Sequence, residues 1–171
     1  LSDRASCFFH PTNDAPGAIT RLVDMGVEPY LVASSLEAVL AQRLVRLLCP
    51  HCKAPDDSPT ARAFKQELGL AAGSTVYRAV GCRECRQTGY HGRRAIFEWM
   101  DSSAEIRQLI LRAASIDTLR DAACRAGMRT LADDGRRLVE SGATTIEEVL
   151  SVTPTDEFTQ RTPDSASPES S

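Results

Sequence analysis

The sequence predicts a mixed α/β chain with a small metal-bound subdomain near its middle and a helical region toward its C-terminus. Three observations carry that expectation. Two Cys-x-x-Cys pairs, Cys49-Pro-His-Cys52 and Cys82-Arg-Glu-Cys85, are separated by 29 residues. Strand-like runs, Thr75–Val80 (TVYRAV) and Ala95–Met100 (AIFEWM), lie on either side of the second pair. Short apolar-periodic segments with capping residues then fill residues 102–150.

A Cys-x-x-Cys loop can aim two thiolates at one point, and two such loops supply the four soft ligands of a closed tetrahedral zinc site. One pair alone could be a redox couple. Two matched pairs among six cysteines point to a shared ion held by Cys49, Cys52, Cys82 and Cys85. Pro50 stiffens the first loop. Gly81 and Gly89 free the backbone around the second, where amides can turn toward sulfur. A closed four-cysteine site has no coordination position for water, so the expected zinc is structural.

The elements follow in order. Residues 1–13 show no clean periodicity. Asp14 can cap a helix whose first turn holds Ala15 and Pro16, with Ile19, Leu22 and Val23 on one face and Gly26 as the stop. A second element starts near Glu28-Pro29, and Leu36, Val39 and Leu40 have helical spacing. Ala41–Leu48 fits either a helix end or a buried strand. Ser58-Pro59-Thr60 opens a short helix with Ala63, Phe64 and Leu68, ended by Gly69. Residues 88–93 read as a turn before the AIFEWM strand. Ser102-x-x-Glu105 and Thr145-x-x-Glu148 read as capping boxes. Between them, Asp117 opens a helix closing at Gly127, and Thr130 opens another closing at Gly142. From Thr153 onward Pro, Ser, Thr and acidic residues dominate, and a disordered tail is expected.

Composition narrows the function. The chain has 171 residues, 42% apolar and only 5% aromatic. That suffices for one sizeable core plus an appendage, built mainly from aliphatic side chains. No run has the length of a membrane span. The chain begins at Leu1, and an upstream part is expected. Asp156, Glu157, Asp164 and Glu169 against Arg161 account for the whole net charge of −3 and leave the body formally neutral. A neutral body lacks the electrostatic footprint of a general nucleic-acid binder. Cys7 and Cys124 stand apart from the pairs, and Cys124 reads as a small hydrophobe in a helix. Metal spacing without a disulfide pattern fits a reducing cytosolic compartment.

The run TNDAPGAITRLVDMGVEPYLVASSLEAVLAQRLVRLLCPHC resembles the secretion ATPases of bacterial type II secretion and type IV pilus assembly. The likeness continues through GCRECRQTGYHGRRAIFEWM, EIRQLI and GMRTLADDGRRLVESGATTIEEVLSVT, about residues 12–152. It implies the C-terminal part of a RecA-like P-loop NTPase domain, with a small four-cysteine zinc subdomain and a C-terminal helical region. On that pattern residues 1–48 end the ATPase core, with 1–11 divergent, and 49–90 form the zinc-binding subdomain. Residues 91–152 form a strand plus the helical region, and 153–171 an acidic tail. The resemblance further implies a hexameric ring, cytoplasmic and peripheral to the inner membrane, that acts on membrane platform proteins.

Two departures bear on activity. No G-x-x-x-x-G-K-[ST] run occurs in these residues, nor the acidic strand that holds magnesium, so ATP and Mg²⁺ belong to the full-length family context. The family's S-T-L-H-T-N-like strand end corresponds here to Cys7-Phe8-Phe9-His10-Pro11-Thr12-Asn13. The inserted Pro11 reverses side-chain alternation and removes a ladder donor, which puts His10 in doubt as the histidine that approaches the γ-phosphate. Residues 1–11 have the mark of a truncated or frameshifted start.

Other groups have plainer expectations. His51 and His91 read as surface histidines, and Arg93 and Arg94 as solvated or ion-paired. Glu98 could pair with one of those arginines. Asp133 and Asp134 are first-turn acids favoured by the helix dipole. Trp99 reads as core or interface packing. A second functional class is a free-standing zinc ribbon that binds nucleic acid or a partner protein, with Arg43, Arg46, Arg83, Arg86, Arg93 and Arg94 near the metal. The neutral body and the lack of clustered aromatics weigh against nucleic acid.

Overall fold

The structure, a computed structural model, describes residues 12–67, 70 and 73–153. His10, Cys7, Leu68, Gly69 and the tail beyond Thr153 lie outside the described residues. The order of elements is α1 (Ala15–Asp24), α2 (Pro29–Ser35), β1 (Ala38–Leu48), β2 (Ala54–Pro55), α3 (Pro59–Glu67), β3 (Tyr77–Arg78) and β4 (Tyr90–Asp101). Four helices follow: α4 (Ala104–Leu111), α5 (Ile116–Arg125), α6 (Leu131–Glu140) and α7 (Ile146–Val152). The chain divides into two compact units. One spans Leu1–Arg43 and Phe97–Leu131, the other Leu44–Ile96 and Ala132–Ser171.

In the first unit α1, α2, α4 and α5 pack as neighbours, with α2 against α4 and α5 against α1. Asp14 caps α1 as its sequence suggests: its carboxylate accepts from the Gly17 amide at 2.7 Å. Ile19 is buried on the inner face, while Leu22 and Val23 are partly covered. Ser103, not Ser102, caps α4, accepting from the Ile106 amide. The shift has a simple cause. Strand β4 runs on to Asp101, and the Ser102 amide is taken by the Glu37 carbonyl at 2.9 Å. Likewise Ser115 caps α5, and Asp117 is a first-turn acid rather than the opening residue.

Helical spacing at Leu36, Val39 and Leu40 does not produce a helix. The chain turns extended at Leu36, and β1 begins at Ala38. Ala41 and Val45 are buried while Leu40, Gln42, Leu44 and Arg46 are exposed, which is the period of a strand. These residues are good helix formers, so pairing with β4 overrides propensity here. Cys49 N donates to Gly89 O at one end of that pair, and Ser102 N to Glu37 O at the other. The strands are therefore antiparallel. Residues 90–93, expected in a turn, already belong to β4.

In the second unit β2 and β3 form a minimal antiparallel pair, Ala54 opposite Arg78 and Pro55 opposite Tyr77. The strand expected over Thr75–Val80 is thus reduced to two residues. Pro55 has no N–H to extend the ladder. Ala61, Leu70, Val76, Ala132, Val139, Ile146 and Val149 form the core of this unit. Helices α6 and α7 approach closely at Gly135: a Cβ there would stand 2.5 Å from Val149 Cγ1.

Candidate metal centre

The four cysteines of the two pairs converge. Their sulfurs all lie within 4.8 Å of one another, and no other such cluster of His, Cys, Asp and Glu occurs among the described residues. Cys49 follows the last residue of β1, and Cys52 closes the next turn through its amide to Cys49 O. Cys82 and Cys85 lie in the loop leading into β4.

The loop around Cys85 explains two of the glycines. Gly81 has φ +108°, and a Cβ there would stand 2.8 Å from Gln87 O. Gly89 has φ +76°, and a Cβ there would meet Ala79 Cβ at 2.6 Å. Both positions combine a left-handed backbone with a close approach, so any side chain is strained. The amides turned inward bind sulfur: Gly81 N donates to Cys52 Sγ at 3.3 Å, and Cys82 N and Gly89 N donate to Cys85 Sγ at 3.1 and 3.2 Å.

The spacing of the sulfurs fits a metal. A tetrahedron with zinc–sulfur bonds of about 2.3 Å has edges of about 3.8 Å. The Cys49–Cys82, Cys52–Cys85 and Cys82–Cys85 sulfurs are 3.9, 3.8 and 3.7 Å apart. Soft sulfur donors at this spacing suit zinc and leave no open coordination position.

The surroundings shift two of the thiols in opposite directions. Burial pushes the Cys85 thiol up, but the amides of Cys82 and Gly89, with the neighbouring thiols, outweigh it and bring it to about 6. Burial pushes Cys52 up to about 11; the Gly81 amide opposes this and the other three thiols add to it. Protons come off such a cluster unevenly because adjacent thiolates repel. A divalent cation removes that penalty.

The remaining sequence candidates are dispersed. His51 and His91 are exposed. Trp99 is not in the core: it is 53% exposed, with Nε1 donating to Asp101 Oδ1. Cys124 is partly buried on α5. Asp133 and Asp134 lie in the first turn of α6, as their spacing suggests. Arg43 donates to the carbonyl oxygens of Thr12 and Asn13 at 2.6 and 3.4 Å. Glu98 pairs with neither Arg93 nor Arg94 across a surface. It is 1% exposed, and its two oxygens accept from the first amides of α1 and α6, Ala15 N at 2.7 Å and Leu131 N at 3.2 Å. Alternation along β4 was the one clue, since it places residue 98 on the inner face between Ile96 and Met100.

A helix-and-strand fold with four convergent cysteines marks a protein that can hold a structural metal. Sequence comparison supplies its family. The chain belongs to the family described as Type II/IV secretion system protein, whose model matches residues 8–151. It is 49% identical over 142 residues to the type II secretion system protein HxcR of Pseudomonas aeruginosa, covering 83% of this chain and 27% of that protein. It is 44% identical over 145 residues to the type IV pilus assembly ATPase TfpB of Acinetobacter baylyi, covering 84% and 25%. The type II secretion system protein E of Pseudomonas aeruginosa is 49% identical over 142 residues, covering 83% and 28%. The chain thus spans about a quarter of the length of these relatives. No helix among the described residues is long and apolar enough to cross a membrane.

Proposed function

We propose that this chain is the C-terminal portion of a motor ATPase that powers type II secretion or type IV pilus assembly. The identity with proteins of those names, sustained across 142 residues, is the observation that carries the reading. The match extends well beyond the cysteine pairs on both sides, which favours this reading over a free-standing zinc ribbon. In this reading residues 1–48 close a RecA-like core. Residues 49–90 are a subdomain held by zinc on Cys49, Cys52, Cys82 and Cys85, and residues 91–152 complete the C-terminal region. The full-length protein works as a hexameric ring on the cytoplasmic side of the inner membrane and docks on platform proteins there.

The metal, when bound, supplies cross-linking rather than chemistry, since four thiolates occupy its whole coordination sphere. The chain's own residues position the sulfurs and bury Cys49 and Cys85, while Cys52 and Cys82 stay partly exposed. ATP and Mg²⁺ are assigned to residues outside these 171, because no phosphate-binding loop is present among them. The chain alone is therefore expected to show no ATP turnover above background.

A chimera tests the reading. The matching quarter of a Pseudomonas aeruginosa type II secretion ATPase is replaced by residues 12–152 of this chain. Restored secretion supports the assignment, and loss of secretion in a folded, metal-loaded chimera sinks it.

A further inference from the structure

Residues that flank both cysteine loops contact one short segment, the turn from Gly142 to Thr145 that joins α6 to α7. The first loop is bracketed by two of these contacts. Leu48, just before Cys49, donates its amide to Ala143 O at 2.8 Å. Lys53, just after Cys52, donates Nζ to Gly142 O at 2.7 Å and stands over the Tyr77 ring at 4.6 Å. The second loop leads into Tyr90, whose hydroxyl lies 3.1 Å from Thr145 Oγ1, the residue that caps α7. The same turn is pinned from β1, since Thr144 Oγ1 donates to Arg46 O at 2.7 Å.

We propose that the four-cysteine centre is a metal-dependent latch on the α6–α7 turn, so that metal binding sets the order of residues 142–149. The inference rests on the proposed metal centre and extends it to a segment that supplies no ligand. The physical reason is how the contacts are anchored. Leu48 and Lys53 reach the turn from the two ends of one knuckle, and Tyr90 reaches it from the end of the other. Without a cation, four sulfurs at 3.7–3.9 Å add only weak thiol contacts to the two hydrogen bonds that join the loops, Cys49 N to Gly89 O and Gly81 N to Cys52 Sγ. Once the loops separate, the turn loses partners from both at once. Helix α7 has only seven residues and cannot persist without tertiary support. Its buried residues Ile146 and Val149 belong to the core of the second unit, so the effect reaches that core. The first unit has its own buried residues on α4 and α5 and serves as the internal control.

Amide hydrogen exchange on the whole chain, with and without zinc, is the test. Metal content is measured first: absence of zinc uptake refutes the metal centre itself. With uptake, the expected result is faster exchange after chelation in residues 49–53 and 81–89 and, to a comparable degree, in 142–149. Residues 104–125 stay unchanged, and re-added zinc restores protection. Deprotection confined to the cysteine loops overturns the latch and leaves the metal centre standing. Deprotection of the entire chain also overturns it, since the ion would then support the whole fold. Lys53→Met gives an independent check in the loaded protein. Zinc content of one per chain is expected to persist while exchange at residues 142–145 rises severalfold. Unchanged exchange there removes Lys53 from the latch.

Discussion

Arg46 holds Glu148 with both its backbone and its side chain, although 102 positions separate them. The Arg46 amide donates to Oε1 at 2.9 Å, and the guanidinium donates to Oε2 at 2.9 and 2.7 Å. The guanidinium also stacks on Tyr90, 4.1 Å from the ring centroid. In a capping box Glu148 would reach back to the Thr145 amide. Here only the first half of that motif forms, Thr145 Oγ1 accepting from Glu148 N, and the carboxylate serves β1 instead.

That contact sets a pH response. Burial pushes the Glu148 carboxyl up, but the Arg46 side chain and amide overcome it and hold the group below its ordinary value of 4.5. A depressed carboxyl contributes stability that is complete above its unfolded value and disappears as pH falls through the folded value. Glu148→Gln is expected to cost about 1–2 kcal/mol at pH 7, a modest figure because Arg46 is half exposed and the pair is screened. The gap from the parent should narrow below about pH 4.5 in urea unfolding. A gap that stays constant to pH 3 would refute the assignment.

Glu98 responds in the opposite sense. Burial is the main influence and raises its carboxyl; the Ala15 and Leu131 amides oppose it, Asp14 adds to it, and Arg120 opposes it. The folded state therefore binds this proton more tightly than the unfolded chain. The group's contribution falls as pH climbs from the ordinary 4.5 through the raised value. Removing the carboxyl leaves two buried amides without an acceptor, at about 1–3 kcal/mol each. Relief of the buried charge offsets part of this. Glu98→Ala is expected to lose about 2–4 kcal/mol and Glu98→Gln less, because one oxygen remains. Equal stability of Glu98→Ala and parent, measured by chemical denaturation, would contradict the double cap.

Gly135 offers a sharper contest of effects. Replacing glycine inside a helix ordinarily gains about 1 kcal/mol. Here the new methyl meets Val149 Cγ1 at 2.5 Å, and Val149 is fully buried. Overpacking costs about 1–3 kcal/mol. Gly135→Ala is therefore expected to lower the melting temperature, whereas an increase would mean that α7 shifts freely.

Metal removal should have the largest effect. Structural zinc contributes about 10–16 kcal/mol in small finger peptides, comparable to the stability of a whole domain. One zinc per chain is expected in reduced protein. Cys82→Ser should lose tight binding and most of the protection of residues 49–89. Elemental analysis that finds the variant as fully loaded as the parent would exclude Cys82 as a ligand.

The four cysteines that converge were legible in the sequence because their signal is local. Each Cys-x-x-Cys fixes two sulfurs within one turn, and only the meeting of the two loops needed the fold. The caps at Asp14 and Thr145 were legible for the same reason. Strand β1 was legible only as one of two options for Ala41–Leu48, because Leu, Ala, Gln and Arg favour helices and pairing with β4 reverses that preference. Ser102 was mistaken for a cap because the end of a strand is set by its neighbour rather than by its own residues. The role of Glu98 was hidden by distance: its donors lie 83 and 33 positions away and are backbone groups with no signature in the sequence.

The placement of Glu98 between Ile96 and Met100 bears on how faithfully β4 aligns. Sliding that strand by one residue would turn Phe97 and Trp99 inward and expel the carboxylate. The stretch Ala95–Met100, apolar apart from Glu98, otherwise has little reason to resist such a slip, since Phe97 and Trp99 stand ready on its other side. The misaligned state, however, strands the first amides of two separate helices in a single step. A buried carboxyl group thereby acts as a proofreader, rejecting the neighbouring alignment that hydrophobicity alone would tolerate.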